Sequence, residues 1–313
     1  MPKESKVHDV IILGSGPAGL TAAIYTGRSS LNPLVIHGRQ PGGQLTNTTE
    51  VDNFPGFSEG IDGPVLMAEM EKQAKRFGAE FLTAEVTAVR LGNSPMEVEV
   101  GKDIYQTRTV IVSTGASPRM LGLANEWDLY GKGVSVCATC DGFFYRDKEV
   151  VVVGGGDTAM EEATFLTRFA KKVHVIHRRN ELRASLPLQE RALKNDKMEF
   201  HWDTVVSAIH GDKQKGLSGI TLKHLPTEKE EDFPCDGLFV AIGHVPNTDL
   251  FKDQLDMDER GYLLTRNGAE TNIPGVFAAG DVQDAVFRQA ITAAGSGCMA
   301  AILAERYLES LEG

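Results

Sequence analysis

Cysteine is scarce in this chain of 313 residues: there are four, and only Cys137 and Cys140 stand close together. Thiols so few and so scattered exclude the disulfide framework of a small secreted protein and fit a reducing compartment. Basic residues are outnumbered, 32 against 43 acidic, which leaves a formal net charge of −11. A field of that sign repels nucleic acid and anionic membrane surfaces, so neither is an expected partner. No apolar run is long enough to span a bilayer, and MPKESKVHDV opens with charge but has no apolar leader core. The expected location is the cytoplasm. What remains is a chain with 42% apolar residues, ample for one large domain or two ordinary ones whose cores need no staples.

Two stretches share one grammar. VHDVIILGSGPAGLTAAIYTGR sets Gly14, Gly16 and Gly19 after a short apolar run and before a helical pattern. EVVVVGGGDTAMEEATFLTR repeats this with Gly154, Gly156 and Ala159. Glycines between strand and helix allow a tight turn and close approach to a pyrophosphate, which then rests on the unpaired amides of the helix start. In each copy a second strand follows, and a histidine closes it at the same interval, Gly14 to His37 and Gly154 to His177. The repeated spacing predicts duplicated βαβ units and two dinucleotide sites. They differ where ribose is discriminated. The second copy continues HRRNELR, so His177, Arg178, Arg179 and Arg183 offer donors for a 2′-phosphate and predict NADPH over NADH. The first ends His37-Gly38-Arg39-Gln40 with no acidic residue, and His37 either bonds a ribose hydroxyl or simply closes the strand.

Near the C-terminus IPGVFAAGDVQD reads as a strand ending at Gly280 and Asp281, followed by a small-residue helix in RQAITAAGSGCMAAILAERYLESL. The carboxylate and the helix amides could meet the ribityl and pyrophosphate of a flavin, or the small residues could only pack tightly. Strand-like runs at VIVSTGASPR and LFVAIGHVPN end at Gly115 and Gly243 with Pro118 and Pro246 close behind, which are loop signals. These crossings predict an α/β chain of two Rossmann-like dinucleotide-binding domains. The first is discontinuous, 1–116 with 246–313, and 117–245 is inserted into it. The amphipathic VLMAEMEKQAKRFG at 65–78 is expected to pack on its own domain.

VCATCDG leaves three readings of Cys137 and Cys140 open: half a metal site, a staple, or a cycling dithiol. Together with GSGPAG, PGGQLTNTTEVDNFPGF, TGASPR, GGGDTAMEEA, HRRNELRA, AIGHVPNT and AAGDVQD with RQAITAAGSGC, it makes the chain resemble, over nearly its full length, the small bacterial and fungal thioredoxin reductases. The resemblance implies FAD in the discontinuous domain, NADPH and a redox disulfide in the inserted one, thioredoxin as protein substrate, and a homodimer. By it, flavin contacts fall on Gly14, Ser15, Gly16, Pro17, Ala18, Gly19, Arg39, Gln40, Gly43, Gln44, Leu45, Thr48, Asn53, Val86 and Gly115. Gly280, Asp281, Arg288, Gln289 and Ala290 complete that set. NADPH contacts fall on Gly154, Gly156, Asp157, Thr158, His177, Arg178, Arg179 and Arg183. His37 stands where the family often has Glu.

The resemblance also implies roles for the sulfurs: Cys140 faces the flavin and Cys137 attacks thioredoxin. Asp141 would exchange protons with the departing thiolate, or would only cap the helix that follows. No metal site is expected, because neither Cys235 nor Cys298 extends the CxxC into a ligand set, and both read as packed thiols. The dithiol and the NADPH turn lie in one domain yet must serve one flavin, which predicts rotation about the two crossings. Rival readings are a flavin disulfide reductase serving a peroxiredoxin system, one driven by reduced ferredoxin, and a flavin-binding sensor without turnover.

Overall fold

The computed structural model describes residues 6–47 and 50–312; Thr48 and the first five residues of the N-terminal stretch lie outside them. The chain splits into two compact units, Met1–Ser117 with Val245–Gly313, and Pro118–His244. Each is of the expected α/β class.

In the first unit Val7–Leu13 is the central strand of a seven-stranded sheet. Its apolar run VIIL is buried on both faces, as a parallel strand requires. Leu34–Ile36 lies parallel on one side and Asp103–Val112 parallel on the other, so the turn after Leu13 opens where the sheet reverses its winding. The ten-residue strand Asp103–Val112 is shared at its second edge. Its first half pairs antiparallel with Met96–Val100, and its last residues pair parallel with Val276–Ala278. The ends of four parallel strands, Leu13, Ile36, Val112 and Ala278, therefore meet at one edge. Helix Pro17–Arg28 packs against the long C-terminal helix Ala290–Glu312 through small residues: a Cβ at Gly297 would strike the carbonyl of Ala18. Helix Gly63–Arg76 is N-capped by Asp62 and buries Leu66, Met67 and Met70 beside Leu20 and Val51.

The second unit repeats the plan. Met198–His201, Lys172–Ile176, Glu149–Val153, Gly237–Val240 and Val134–Ser135 form, in that order, a five-stranded parallel sheet. Helix Asp157–Leu166 follows the central strand. A three-stranded antiparallel sheet, Thr204–Asp212, Gly216–His224 and Lys229–Phe233, completes the unit.

The two crossings are more ordered than their loop signals suggest. Ala116–Pro118 and His244–Pro246 pair as a two-stranded ribbon. Proline survives there because each strand is three residues long and has a free edge. Among the described residues no helix is long and apolar enough to cross a membrane.

Candidate active site

Cys137 and Cys140 are joined as a disulfide, with Cα atoms 5.3 Å apart. They open a four-residue helix, Ala138–Asp141, that Cys137 caps: its Sγ accepts from the Cys140 amide at 3.2 Å. The Thr139 hydroxyl lies 3.4 Å from the same sulfur. Both contacts would favour a thiolate at Cys137, because donors aimed at a sulfur stabilise its charge. Cys140 is exposed and Cys137 half-buried. Asp141 is half-buried behind them, and burial pushes its carboxyl above the ordinary range, opposed by a hydrogen bond with Ser135. Burial and the Asp141 charge together push the Tyr130 phenol up to about 12. Asp141 makes no side-chain cap on the 3-10 turn Gly142–Tyr145, so capping is not its role here.

Ser135 escaped the sequence reading. Its buried hydroxyl accepts from the Cys137 amide at 3.1 Å and also holds Asp141, linking dithiol and acid. Only its position, two residues before Cys137, hinted at this. The remaining thiols are remote from such chemistry. Cys235 is buried with its thiol pushed up to about 12 by burial, and Cys298 is half-buried and bonded to Tyr25.

The first glycine turn follows the sheet's central strand. Gly14 has φ +106°, and a Cβ there would strike the Ser113 carbonyl; one at Gly19 would strike the carbonyl of Gly14. Gly16, the N-cap of the helix that begins with Pro17 and Ala18, has nothing within 4 Å of where its Cβ would sit. That open space at an amide-rich helix start suits a pyrophosphate. Ser15 is buried and its hydroxyl accepts from the Gly42 amide at 3.0 Å, drawing the 40–47 loop onto the turn. Gly43 packs on Gly16, and Leu45 packs among Leu20, Val51 and Met67. Gln44 reaches the Ala116 carbonyl. Gln40 is held by Thr46 and Asn47 at 2.9 and 3.0 Å. Asn53 and Gln289, 236 residues apart, are brought within 3.2 Å.

The same edge gathers the remaining residues. Val86 is buried, and Gly115 has open space around it. The Gly280 amide donates to Ser296 at 2.8 Å. Asp281 is pushed up to about 6 by burial and then by Asp284, with Arg288 opposing. Arg288 sits at φ +47°, a conformation that costs a non-glycine residue energy. The Asp284 carboxylate holds it there by accepting from the amides of Val286, Phe287 and Arg288 at 2.9, 2.8 and 3.3 Å. Ala290 then starts the C-terminal helix. Arg39 differs from the rest: it is exposed and ion-paired with Glu85 at 2.6 Å. His37 is buried against Phe81, ring centroids 5.2 Å apart, and burial lowers its pKa.

In the second turn Gly156 is again open, while Gly154 faces the Ala241 carbonyl and Ala159. His177 lies across Gly155; its Nε2 is buried without a hydrogen-bond partner, and burial holds the ring below the ordinary histidine pKa. The Gly155 carbonyl accepts from the Arg183 and Ala184 amides at 2.7 and 3.1 Å, which folds the arginine segment onto the turn. Asp157 accepts from the Ser185 amide at 2.6 Å, and Thr158 is half-buried beside it. Arg178, Arg179 and Arg183 are all exposed, and none forms an ion pair among the described residues. In a chain with 43 acidic residues, three unpaired guanidinium groups at one strand end make a ready anion site.

A pyridine nucleotide-disulphide oxidoreductase family model matches residues 8–297. A thioredoxin reductase of Streptomyces coelicolor is 54% identical over 310 residues, covering 98% of this chain and 96% of that protein. Another, of Coxiella burnetii, is 52% identical over 312 residues, 97% of each. The chain belongs to the thioredoxin reductase family. The solved thioredoxin reductase of Streptococcus pyogenes superposes with a TM-score of 0.93 at 41% identity, covering 98% of this chain and 100% of that one. Membership makes the chain an oxidoreductase of the class that works with a flavin and a nicotinamide nucleotide. The residues fit such groups: two open helix N-caps, a buried unpartnered imidazole nitrogen and three unpaired arginines suit dinucleotide phosphates.

Proposed function

We propose that this protein is an NADPH-dependent, FAD-containing reductase of the thioredoxin disulfide. One observation carries the reading: a Cys137–Cys140 disulfide with Asp141 behind it, its carboxyl pKa raised by burial, in the same unit as an arginine-marked dinucleotide turn. FAD would lie on the Gly14–Gly19 turn with Asp281 and Ala290, and NADPH on the Gly154–Ala159 turn with His177, Arg178, Arg179 and Arg183. FAD, when bound, supplies a carrier that accepts the two electrons of a hydride and can give them to a disulfide.

The chain's own groups do the exchange. With the disulfide reduced by two electrons and two protons, the Cys137 thiolate, held by the Cys140 amide, attacks one sulfur of the thioredoxin disulfide and expels the other as a thiolate. Cys140 then attacks the Cys137 sulfur, which releases dithiol thioredoxin and closes the Cys137–Cys140 bond again. Asp141, its carboxyl pKa raised by burial, is placed to exchange a proton with a departing thiolate. Exposed Phe143 and Phe144, just past Cys140, with Arg146 5.5 Å over the Phe143 ring, offer a protein client an apolar anchor rimmed by positive charge.

Dithiol and arginines share the unit Pro118–His244, whereas the turn assigned to FAD is in the other unit. Serving one flavin in alternation requires rotation about the ribbon of Ala116–Pro118 and His244–Pro246. We further infer a homodimer, for which exposed Tyr25, Ile291 and Met299 offer an apolar face, and a cytoplasmic location. The test is reduction of oxidised thioredoxin by the FAD-loaded protein. NADPH should drive it far better than NADH, and Cys137→Ser and Cys140→Ser should each fall to background. Turnover surviving in either variant overturns the proposal.

A further inference from the structure

Away from the dithiol and the glycine turns, the second unit gathers a set of groups that the redox reaction does not use. Strands Lys172–Ile176 and Met198–His201 run parallel with His174 opposite Glu199 and Ile176 opposite His201. Residues in register on parallel strands share a face, and alternate residues share it too. Lys172, His174, Glu199 and His201 therefore project to one side, joined by Glu149, which is in register with Lys172 on the next strand.

We propose that His174, His201 and Glu199 bind a divalent transition-metal ion of the zinc class. His174 Nδ1 and His201 Nε2 are 3.1 Å apart, and His201 Nε2 is 3.8 Å from Glu199 Oε1. One ligating atom from each of the three lies within 4.8 Å of the others. An ion about 2.0–2.2 Å from each of two tetrahedral ligands needs those ligands roughly 3.3–3.6 Å apart, a spacing the two imidazoles meet within a few tenths of an ångström, while the exposed Glu199 side chain swings in to complete the site. Two imidazoles and one carboxylate, with water in the fourth position, are a borderline-soft donor set that selects zinc, nickel or copper over calcium and magnesium.

The surroundings are those of a held ligand set. The other nitrogen of His174, Nε2, is buried without a hydrogen-bond partner and faces Glu149 Oε2 at 3.8 Å. A carboxylate behind a ligating histidine fixes its tautomer and ring orientation. The second oxygen of Glu199 is taken by Lys172, which leaves Oε1 to turn toward the ion. Phe233 packs edge-on against both imidazoles, with ring centroids 4.8 and 5.5 Å away, and limits their rotation. Access is open from one side: the His174 side chain is 7% exposed, His201 20% and Glu199 46%. Without an ion, one histidine–histidine hydrogen bond is the only use made of the two facing nitrogens among the described residues. The two histidines are 27 residues apart in the chain, too far for a spacing motif to reveal the set.

The test is calorimetric titration of Zn2+ into the FAD-loaded, oxidised protein, whose redox cysteines are closed as a disulfide, with no nucleotide or chelator present. The expected result is one ion per chain, with His201→Gln and Glu199→Gln each weakening binding tenfold or more. The double variant Cys137→Ser with Cys140→Ser should bind as the parent does. Lys172→Met, which frees Glu199 from its competing partner, should bind no more weakly. Zn2+ should also raise the thermal midpoint of the parent but not of His201→Gln. Absence of saturable binding below millimolar Zn2+, binding that survives both single substitutions, or binding lost only with the cysteines would each overturn the site.

Discussion

The two glycine turns obey one rule at their tips and different rules at their flanks. At both tips the helix N-cap is a glycine with open space where its side chain would lie. At the third motif position they diverge. Gly19 is pressed against the carbonyl of Gly14, and its helix is pressed from behind by Gly297 of the C-terminal helix. The second turn takes Ala159 there, fully buried, and Gly154 adopts φ +155° in place of +106°. The ends of the second strands diverge as well. Each terminal histidine keeps one buried nitrogen without a hydrogen-bond partner, Nδ1 of His37 and Nε2 of His177, but Arg39 is ion-paired with Glu85 whereas Arg178, Arg179 and Arg183 form no ion pair among the described residues. At the strand end one copy has paired its arginine within the protein, and the other leaves three guanidinium groups for an anion. Duplicated turns thus need not discriminate their ligands alike.

Substitutions can break this comparison. The largest expected effect is Gly19→Ala, whose methyl meets immovable backbone: a stability loss of about 3 kcal/mol with reduced flavin content, against about 1 kcal/mol for Ala159→Gly. Urea unfolding of both variants checks it, and equal losses would show the two turns to be packed alike. Next come the raised carboxyls, one in each unit. Asp141→Asn should slow thioredoxin reduction by roughly 100-fold and flatten its alkaline limb, because the proton-donating form is lost as pH rises through the raised pKa. A pH profile measured with and without the substitution reads this directly.

Asp281 should act on stability instead. Its native carboxyl binds a proton more tightly than the unfolded one, so native stability falls as pH rises between the unfolded value and about 6. Asp281→Asn removes the cost: the flavin-free variant should exceed the parent by on the order of 2 kcal/mol above pH 6, with no advantage below about pH 4. Chemical unfolding across that range decides it. Smaller still, Arg178→Gln with Arg183→Gln should raise KM for NADPH about tenfold and leave NADH unaffected, since only the former carries the 2′-phosphate. Arg39→Gln, already ion-paired, should change neither, and a nucleotide effect there would erase the contrast between the two strand ends.

Much of this was legible along the chain. Both turns, the strands before them and the helices after them follow from glycine and apolar spacing, and Cys137, Cys140 and Asp141 are consecutive enough that one short helix assembles them. The ribbon at Ala116–Pro118 and His244–Pro246 was not legible, because glycine and proline signal a break in structure and say nothing of a partner more than a hundred residues away. Nor was the meeting of Asn53 with Gln289, of Ser135 with Asp141, or of His174 with His201. The helix-capping alternative for Asp141 was reasonable from its position and failed because the following 3-10 turn takes no side-chain cap.

The amino-acid order alone determined where the chain turns, which helix starts are left with bare amides, and which two sulfurs can close on each other. Those outcomes depend on steric limits and bonds within a few residues. Folding in three dimensions decided which side chains are already satisfied and which are left with unused donors, charge or raised acidity. That depends on strand register and on burial by distant segments, since a hydrogen bond or a dielectric environment is set by whatever is packed alongside, however far away in the chain it lies.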